Sequence, residues 1–334
     1  MVDACRAGAA VAEIDGPLCK ADRPDDIPSA GWWHILQRLG GSLFRDDIWL
    51  RAAGVAFCAL FAAIPCAAVP VSIFGLYADP EAVHRPVEML RGLLPEGASA
   101  FLAREMQAIA TTSSLGLGAG LGGGILAALW GAWSAASGVI GAINTAYGEQ
   151  EGRTFAHRQL VALTLVAATA LVGLAAFALV AIVPTALEVL SLDPERQTIV
   201  SLARWLALAL LMIVALGMLY RFAPCRRAAK WRWVSPGAAA ATVLWLTGSA
   251  AFSYYVASVQ SYNETLGVLG IVMLFLTWFY LTSFAVLFGA ELNAELERQT
   301  ARDTTEGAAL PLGRRGAAVA DTVAQPILGW SARR

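Results

Sequence analysis

The stretch Leu160-Val-Ala-Leu-Thr-Leu-Val-Ala-Ala-Thr-Ala-Leu171 contains no charged residue. It does not alternate between apolar and polar residues, as a strand of a membrane β-barrel does. It lies within a longer apolar run, about 160–187, and a helix needs roughly 20 apolar residues to cross a bilayer. Because lipid cannot satisfy open backbone donors and acceptors, the run predicts a transmembrane helix.

Similar apolar runs recur along the chain, at about 52–77, 117–147, 199–220, 234–259 and 267–290. The whole chain is 57% hydrophobic and 15% charged, with a mean hydropathy of +0.60. Soluble domains carry about 25% charged residues, so the apolar excess is expected to face lipid. The predicted fold class is all-α: a polytopic membrane protein with a bundle of about six transmembrane helices.

Lys and Arg residues are distributed unevenly between the predicted loops. With the N-terminus in the cytoplasm, the inner segments next to the helices carry twelve of them and the outer segments carry five. Basic residues are enriched on the cytoplasmic side, so both termini are predicted to be cytoplasmic. The net charge of −1 gives no indication of a nucleic-acid partner.

Outside the apolar runs, the composition predicts two disordered cytoplasmic tails, 1–32 and 300–334. The first is rich in aspartate and lacks the apolar core of a signal peptide, and the second is rich in Ala, Gly, Thr and Arg. Between them lies one transmembrane domain, 33–299. Its insertion, 78–114, is predicted to form short amphipathic helices at the outer membrane surface.

No pattern of catalytic, cofactor-binding or metal-binding residues stands out in the sequence. His34, His84 and His157 lie on different segments, and no cluster with cysteines or carboxylates has metal-ligand spacing. No ATP-binding motif is present either. The protein is therefore expected not to be an enzyme and to need no cofactor. Membrane lipids are its expected partners, and the oligomeric state stays open.

Small residues recur at helical spacing in the second run. Five glycines form the pattern, Gly116, Gly120, Gly124, Gly131 and Gly138. The formal match Gly118-Ala-Gly-Leu-Gly-Gly123 to a dinucleotide-binding fingerprint is rejected, because no strand precedes it. Small residues let membrane helices approach closely, so these glycines predict a helix-packing surface.

Two prolines interrupt the first run, Pro65 and Pro70. A proline removes a backbone donor and clashes one turn back, so a tolerated kink is one interpretation. The other is a broken helix that lines a polar cavity, as in secondary transporters.

The densest basic cluster follows the fourth run and includes Arg226, Arg227, Lys230 and Arg232. One interpretation is topology control alone. The other is contact with anionic lipid headgroups on the cytoplasmic side.

Two short segments indicate an internal repeat. Asn144-Thr-Ala-Tyr-Gly148 ends the second run, and Asn263-Glu-Thr-Leu-Gly267 follows the fifth. In the predicted topology these turns lie on opposite membrane faces, which fits two inverted three-helix repeats.

Glu291 lies near the inner end of the last run, where a lone carboxylate is costly. We consider two interpretations: that it reaches interfacial water, or that it forms a buried ion pair. Its candidate partners are Arg51, at the start of the first helix, and Arg221, at the end of the fourth.

Several of these segments together resemble the YihY/BrkB family of membrane proteins. The resemblance rests on Trp130–Gly148, Leu219–Arg227 with Trp231–Gly237, Ser261–Gly267 and Gly289–Glu295. Cys225 and Leu266 depart from the residues usual in the family. The resemblance implies six helices in a bacterial cytoplasmic membrane. The family is also called virulence factor BrkB and was once labelled ribonuclease BN, and it brings no established catalytic residues to carry over.

The function that these features favour is a transporter or flippase for an amphipathic or lipid-linked substrate. The alternative is a non-transporting membrane scaffold or envelope-integrity factor. A ribonuclease comes last, because the sequence offers no paired acid and base or metal-binding group for phosphodiester hydrolysis.

Overall fold

A computed structural model describes residues 21–77, 114–182, 194–258 and 261–324. Regular structure in these ranges is helical, apart from one β-bridge between Ala229 and Thr305. After a 3-10 turn at Pro24–Asp26, the helices are α1 (Ser29–Arg45), α2 (Ile48–Tyr77), α3 (Ser114–Ala146), α4 (Phe155–Phe177), α5 (Pro194–Phe222), α6 (Trp231–Ser258) and α7 (Ser261–Arg298). A π-helical turn, Ala178–Ile182, extends α4.

The last six helices lie where the sequence predicts transmembrane spans, which confirms the all-α fold class. Five segments of the described residues are long and apolar enough to cross a membrane: Ile48–Cys66, Gly122–Ala146, Phe155–Val180, Ile199–Phe222 and Leu269–Arg298. Helix α6 forms at the predicted place but is not among the five. Its Trp, Tyr, Ser and Gly residues lower its hydropathy.

Helix α4 shows why this chain needs a bilayer. Leu163, Leu171, Leu174 and Phe177 are each 54–68% exposed. These side chains are largely uncovered in the described part of the structure, and a soluble protein rarely exposes so large an apolar surface. The apolar excess seen in the composition therefore lies on the outside of the helices, where lipid would contact it.

The chain divides into two compact units. The first consists of Met1–Arg51, Val139–Trp245 and Phe284–Arg334, and the second of Ala52–Gly138 and Leu246–Ser283.

In the second unit, α2 and α3 pack through small residues. A methyl group added at Gly131 would lie 2.8 Å from the backbone nitrogen of Ala62, and one at Gly138 would lie 3.2 Å from Val55. The rings of Phe61 and Trp130 meet edge to face beside this contact. The packing surface predicted for α3 therefore includes Gly131 and Gly138.

The other predicted packing glycines behave differently. Gly124 faces open space, so it takes no part in the α2–α3 contact. Gly116 and Gly120 lie in the first two turns of α3, where the surroundings are outside the described part of the structure.

The prolines of α2 do not break the helix. It continues from Ile48 to Tyr77 through both Pro65 and Pro70. The helix-break interpretation is therefore wrong. A proline removes one hydrogen bond, and a long apolar helix tolerates that loss because its other backbone bonds remain.

The first unit has an apolar core where α1, α6 and α7 meet. Ile35, Leu39, Trp233 and Leu296 are nearly or fully buried there. A methyl group added at Gly237 would lie 2.2 Å from the carbonyl oxygen of Gly289, so only glycine permits this approach of α6 to α7.

The described parts of both predicted tails are folded, which corrects the prediction of disorder. Ala21 and Ile27 are buried in the first-unit core, and α1 begins at Ser29, inside the predicted tail 1–32. Residues 300–324 are ordered and contain buried side chains such as Thr304 and Arg315. The predicted amphipathic insertion 78–114 lies outside the described residues, except for Ser114, which begins α3.

The two segments of the predicted repeat have different backbones. Asn144 lies in the last turn of α3, and Gly148 follows it with a φ of +64°. Asn263 instead lies in the first turn of α7, and the helix continues through Gly267. The prediction that both segments are turns is therefore wrong for the second, because α7 begins six residues earlier than its apolar run.

Candidate functional site

The C-terminal end of α7 carries four polar side chains at every second position. Glu291, Asn293, Glu295 and Glu297 are each 0–2% exposed. Residues four apart share a helix face, so Glu291 and Glu295 lie on one face and Asn293 and Glu297 on the opposite one. The protein therefore encloses this end of α7 on both faces, and each face needs polar partners.

Glu297 forms a bidentate ion pair with Arg226. The Nη2–Oε1 distance is 2.6 Å, the Nη1–Oε2 distance is 3.1 Å, and neither side chain is exposed. The Thr304 hydroxyl donates to Glu297 Oε2, and the Arg226 guanidinium lies 4.2 Å above the ring centre of Tyr147. Burial lowers the pKa of Arg226, but the charge of Glu297 raises it by more, so the pKa of Arg226 is higher than usual.

Glu295 is shared by two arginines. Its Oε2 accepts from Arg38 Nε at 2.8 Å, and its Oε1 accepts from Arg298 Nη1 at 2.5 Å. Arg38 also donates from Nη2 to Gln299 Oε1 at 2.8 Å. One carboxylate thus fixes two guanidinium groups, one from α1 and one from α7.

Asn293 bonds to the backbone of α6 beside Pro236. Its Oδ1 accepts from the Gly237 amide at 2.8 Å, and its Nδ2 donates to the Val234 carbonyl oxygen at 3.1 Å. Pro236 lacks a backbone donor and disturbs the helix around it. The asparagine amide therefore provides hydrogen bonds to backbone groups of α6 next to the proline, where the helix lacks one of its own.

Glu291 differs from the other three. Its side chain is fully buried, and neither carboxyl oxygen has a hydrogen-bond partner among the described residues. Arg51 is exposed, and its Nε donates to the Asp46 carbonyl oxygen. Arg221 instead pairs with Glu306 and donates to the Ala229 carbonyl oxygen. The predicted Glu291 ion pair is therefore wrong for both candidates, and so is the interpretation that Glu291 reaches water.

The basic cluster after α5 is largely engaged within the protein. Arg226 is in the buried pair, and Lys230 donates to the Asp303 carbonyl oxygen at 2.7 Å. Arg227 is half-buried, whereas Arg232 is exposed. Arg226 therefore does not contact lipid headgroups, because its side chain is buried against Glu297. Headgroup contact stays a prediction for Arg227, Lys230 and Arg232.

Residues 300–324 are held by many hydrogen bonds, in addition to the buried side chains of Ala317, Val319 and Ala320. Arg315 donates to the carbonyl oxygens of Ala301, Arg302, Leu310 and Ala320. Asp303 accepts from the amides of Thr305 and Leu310; burial opposes the change, but these bonds lower the pKa of its carboxyl below the usual value.

Asn144 connects the end of α3 to the loop after α5. Its Oδ1 accepts from the Cys225 amide at 2.8 Å, and its Nδ2 donates to Glu151 Oε2 at 3.0 Å. Glu151 also accepts from Arg153 Nε at 2.7 Å, and this bond lowers the pKa of Glu151 to about 2. The contact to residue 225 uses its backbone amide, so a cysteine side chain at this position does not disturb it.

A cavity of about 680 Å³ opens in the first unit beside the shared Glu295. Charged residues of its wall are Arg38, Arg45, Asp46, Glu295 and Arg298. Tyr147, Gly148, Ala318 and Val323 are among the others that line it. The part of the chain that the structure describes contains no group of three or more His, Cys, Asp or Glu residues placed to hold a metal ion.

Comparison with known proteins agrees with this architecture. A sequence profile of the virulence factor BrkB family matches residues 41–311, from α1 into the folded C-terminal segment. The chain belongs to the virulence factor BrkB family. The family predicted from the sequence motifs is thus confirmed, and the chain is a membrane protein.

Several curated proteins are similar to this BrkB-family chain. YfkH of Bacillus subtilis strain 168, whose name describes it only as ribonuclease-like, is 30% identical over 180 residues, 53% of this chain and 65% of YfkH. The UPF0761 membrane protein Smlt0865 of Stenotrophomonas maltophilia strain K279a is 33% identical over 102 residues, 30% of this chain and 24% of the relative.

The UPF0761 membrane protein xcc-b100_3490 of Xanthomonas campestris pv. campestris strain B100 is 26% identical over 254 residues, 76% of this chain and 58% of the relative. The chain thus spans less than two thirds of the length of each of these three relatives. No solved structure matches the chain.

The sequence interpretation singled out Glu291 but missed the polar cluster to which it belongs. This cluster consists of Glu291, Asn293, Glu295 and Glu297 at the end of α7, with Arg38 and Arg226. The signal was present: four polar residues alternate with Leu and Ala at the end of an apolar helix. Such a pattern on a helix places polar groups on opposite faces, which indicates enclosure by protein rather than an interface with water.

Proposed function

We propose that this BrkB-family protein is a transporter or flippase for an amphipathic or lipid-linked substrate, and that Glu291 takes up and releases a coupling cation. The cation is a proton or a small metal ion. The absence of an ATP-binding motif from the sequence favours coupling to an ion gradient over direct use of ATP. The bacterial cytoplasmic membrane is the proposed location.

The buried carboxyl of Glu291 carries the proposal. It lies within an apolar helix of the membrane domain, and both its oxygens lack hydrogen-bond partners among the described residues. An ionised carboxylate without a partner costs several kcal/mol when buried, so the group is stable only when protonated or when a cation occupies its site. Ionisable groups in such positions mark ion pathways in pumps and transporters.

Charged groups at the end of α1 and on α7 act on the Glu291 carboxyl and would respond when it binds or releases a cation. The charges that act on it are Asp46 after α1, Glu295 and Arg298 on α7, and the nearby hydroxyl group is that of Ser42 on α1. Tyr147, after α3, lies in the same electrostatic environment. Asp46 has the largest effect among these charges, and a cation bound at Glu291 would offset the repulsion between the two carboxylates.

The test is movement of lipid in liposomes. Purified protein is reconstituted with a fluorescent phosphatidylglycerol, and an impermeant reductant quenches the outer leaflet. With a pH or sodium gradient imposed, we expect quenching to proceed beyond the outer leaflet in the presence of protein. Glu291→Gln should abolish the gradient dependence. The matched control is Asp25→Asn, a change at an exposed carboxylate.

A scaffold or envelope-integrity factor is the second candidate. The buried Arg226–Glu297 pair and the folded segment 300–324 favour it. They connect the loop after α5 and the end of α7 by fixed contacts, as a rigid scaffold requires. Lipid that stays in its leaflet with wild-type protein, over a range of lipids and gradients, would contradict transport and favour the scaffold.

We also propose that the protein is not a ribonuclease, although YfkH carries a ribonuclease-like name. The scattered histidines of the sequence support this. Detergent-purified protein is expected to process RNA no faster than a mock preparation does. Cleavage that persists through further purification and is lost on a point substitution in this chain would show that the proposal is wrong.

A further inference from the structure

Helix α1 contributes three residues to the wall of the 680 Å³ cavity, namely Arg38, Gly41 and Arg45. Their spacing of three and four places them on one face of the helix. Gly41 leaves open space between the two arginines, because a methyl group added there would meet nothing within 4 Å. The two guanidinium groups therefore border one continuous opening.

The charge of this cavity is positive on balance. Glu295 neutralises only one of the two arginines that it holds, Arg38 and Arg298. Arg45 is 64% exposed, and its contact to Asp46 is long, at 3.4 Å. Three guanidinium groups thus face two carboxylates.

Several N–H donors are left for a ligand. Glu295 and Gln299 use Nε and Nη2 of Arg38, and Glu295 uses Nη1 of Arg298. Among the described residues, Nη1 of Arg38 and Nε of Arg298 have no hydrogen-bond partner. The buried Glu295 side chain holds both arginines in place, so the donors are pre-organised. Guanidinium groups in fixed positions suit phosphate, because their planar forks match its oxygens.

An exposed apolar stripe runs along another face of α1. Trp33, Leu36 and Phe44 are 62%, 51% and 73% exposed. The opposite face of the helix, with Ile35, Leu39 and Ser42, is buried. A short helix that is buried on one side and apolar on the other is typical of helices that lie in the membrane interface. The arginine face lies between these two, so the cavity opens beside an apolar surface.

We propose that this cavity binds the phosphate-bearing headgroup of an anionic lipid, with the acyl chains along the apolar stripe of α1. The inference rests on the proposed function and specifies its substrate class. The volume of about 680 Å³ falls within the range of small-molecule sites, roughly 300–1,000 Å³. The headgroup accepts hydrogen bonds from Arg38, Arg45 and Arg298. The apolar stripe favours a lipid over a free phosphate ion, because only the lipid has acyl chains to contact it.

The experiment measures binding rather than transport. Delipidated wild-type protein in a neutral detergent is titrated with short-chain phosphatidic acid, with short-chain phosphatidylcholine and with inorganic phosphate. We expect phosphatidic acid to bind more tightly than either of the others. Arg45→Gln should weaken its binding about fivefold, the effect of losing one basic residue near a headgroup. Arg45 is exposed, so its replacement is not expected to affect folding.

Two further variants make the result specific. Arg302→Gln is the matched control, because Arg302 is 61% exposed in the same unit and does not line the cavity. It should leave binding unchanged. Phe44→Ser should weaken the binding of phosphatidic acid but not any binding of inorganic phosphate.

Equal effects of Arg45→Gln and Arg302→Gln, or equal affinities for phosphatidic acid and phosphatidylcholine, would overturn the proposal. Inorganic phosphate that binds as tightly as the lipid would overturn the choice of a lipid. Binding that depends on Arg45, in a protein that moves no lipid in liposomes, would support the cavity and contradict transport. Lipid movement unaffected by Arg45→Gln, with no measurable binding, would support transport and contradict the cavity.

Discussion

Arg226 and Glu297 lie 71 residues apart in sequence and form a bidentate ion pair that is closed to solvent on both sides. Removing one member of such a pair leaves an uncompensated buried charge and costs about 3–5 kcal/mol. We therefore expect Arg226→Gln and Glu297→Gln each to lower the thermal unfolding temperature in detergent markedly. Arg232→Gln, at an exposed position in the same basic cluster, should have little effect.

The double variant Arg226→Met with Glu297→Met separates charge from packing. Methionines of similar length leave no buried charge, and such replacements are often neutral or stabilising. The double variant should therefore be more stable than either single variant. A double variant as unstable as the sum of two single losses would contradict this account.

The glycine contact between α2 and α3 predicts a difference within one helix. Gly131→Ala places a methyl group against the backbone of Ala62 and should cost about 1–3 kcal/mol, as overpacking does. Gly124→Ala meets open space and should stabilise α3 by up to about 1 kcal/mol, because alanine favours a helix. Thermal unfolding of both variants in one detergent measures this, and equal shifts would show that Gly131 is not a packing position.

Glu151 predicts how stability depends on pH. The Arg153 hydrogen bond lowers its pKa from the usual 4.5 to about 2 in the folded protein. A lowered folded pKa contributes stability above the unfolded value, and that stability is lost as pH falls through the folded pKa. The unfolding temperatures of wild type and Glu151→Gln should thus differ fully above about pH 4.5 and converge towards pH 2. A difference that is constant over this interval would argue against the ion pair.

The proposed orientation can be tested by cysteine labelling. A labelling site in the segment 300–324 must be exposed to the reagent. Thr300 is unsuitable because it is 1% exposed, so a cysteine there would not react from either side. Ala309 is exposed in the same segment and is a suitable site. In a cysteine-free background, Ala309→Cys should react with an impermeant thiol reagent only after the cells are opened. Ser191 lies outside the described residues, in a predicted outer loop. Ser191→Cys should react in intact cells, and the reverse pattern would invert the topology.

The helices of the membrane domain could be predicted from the sequence, because the need to bury backbone polar groups in lipid makes long apolar runs unambiguous. Helix α6 shows the limit of this signal. Its helix is present, but Trp231, Tyr254 and its serines bring its hydropathy below that of the other spans. Gly131 was also predictable, since small residues at helical spacing indicate close packing.

The polar cluster and the folded C-terminal segment could not be predicted in the same way. Arg226 looked like a free basic residue because its partner, Glu297, is distant in sequence. Residues 300–324 contain mostly small side chains, and their order comes from hydrogen bonds such as those of Arg315 and Asp303. Such bonds leave no periodic pattern, so composition alone suggested disorder.

The segment 300–324 has a consequence for the biogenesis of the protein. Thr305 pairs with Ala229, Thr304 donates to Glu297, and the Ala318 amide donates to Glu149. Ribosomes make the chain from its N-terminus, so Glu149 and Glu297 lack these donors until residues 300–324 have been translated, after all the membrane-spanning helices. The helices can enter the bilayer earlier, but the polar end of α7 is completed only when residues 300–324 have been made. A nonsense mutation after Arg298 would therefore leave every apolar span intact and still yield a product vulnerable to membrane proteases.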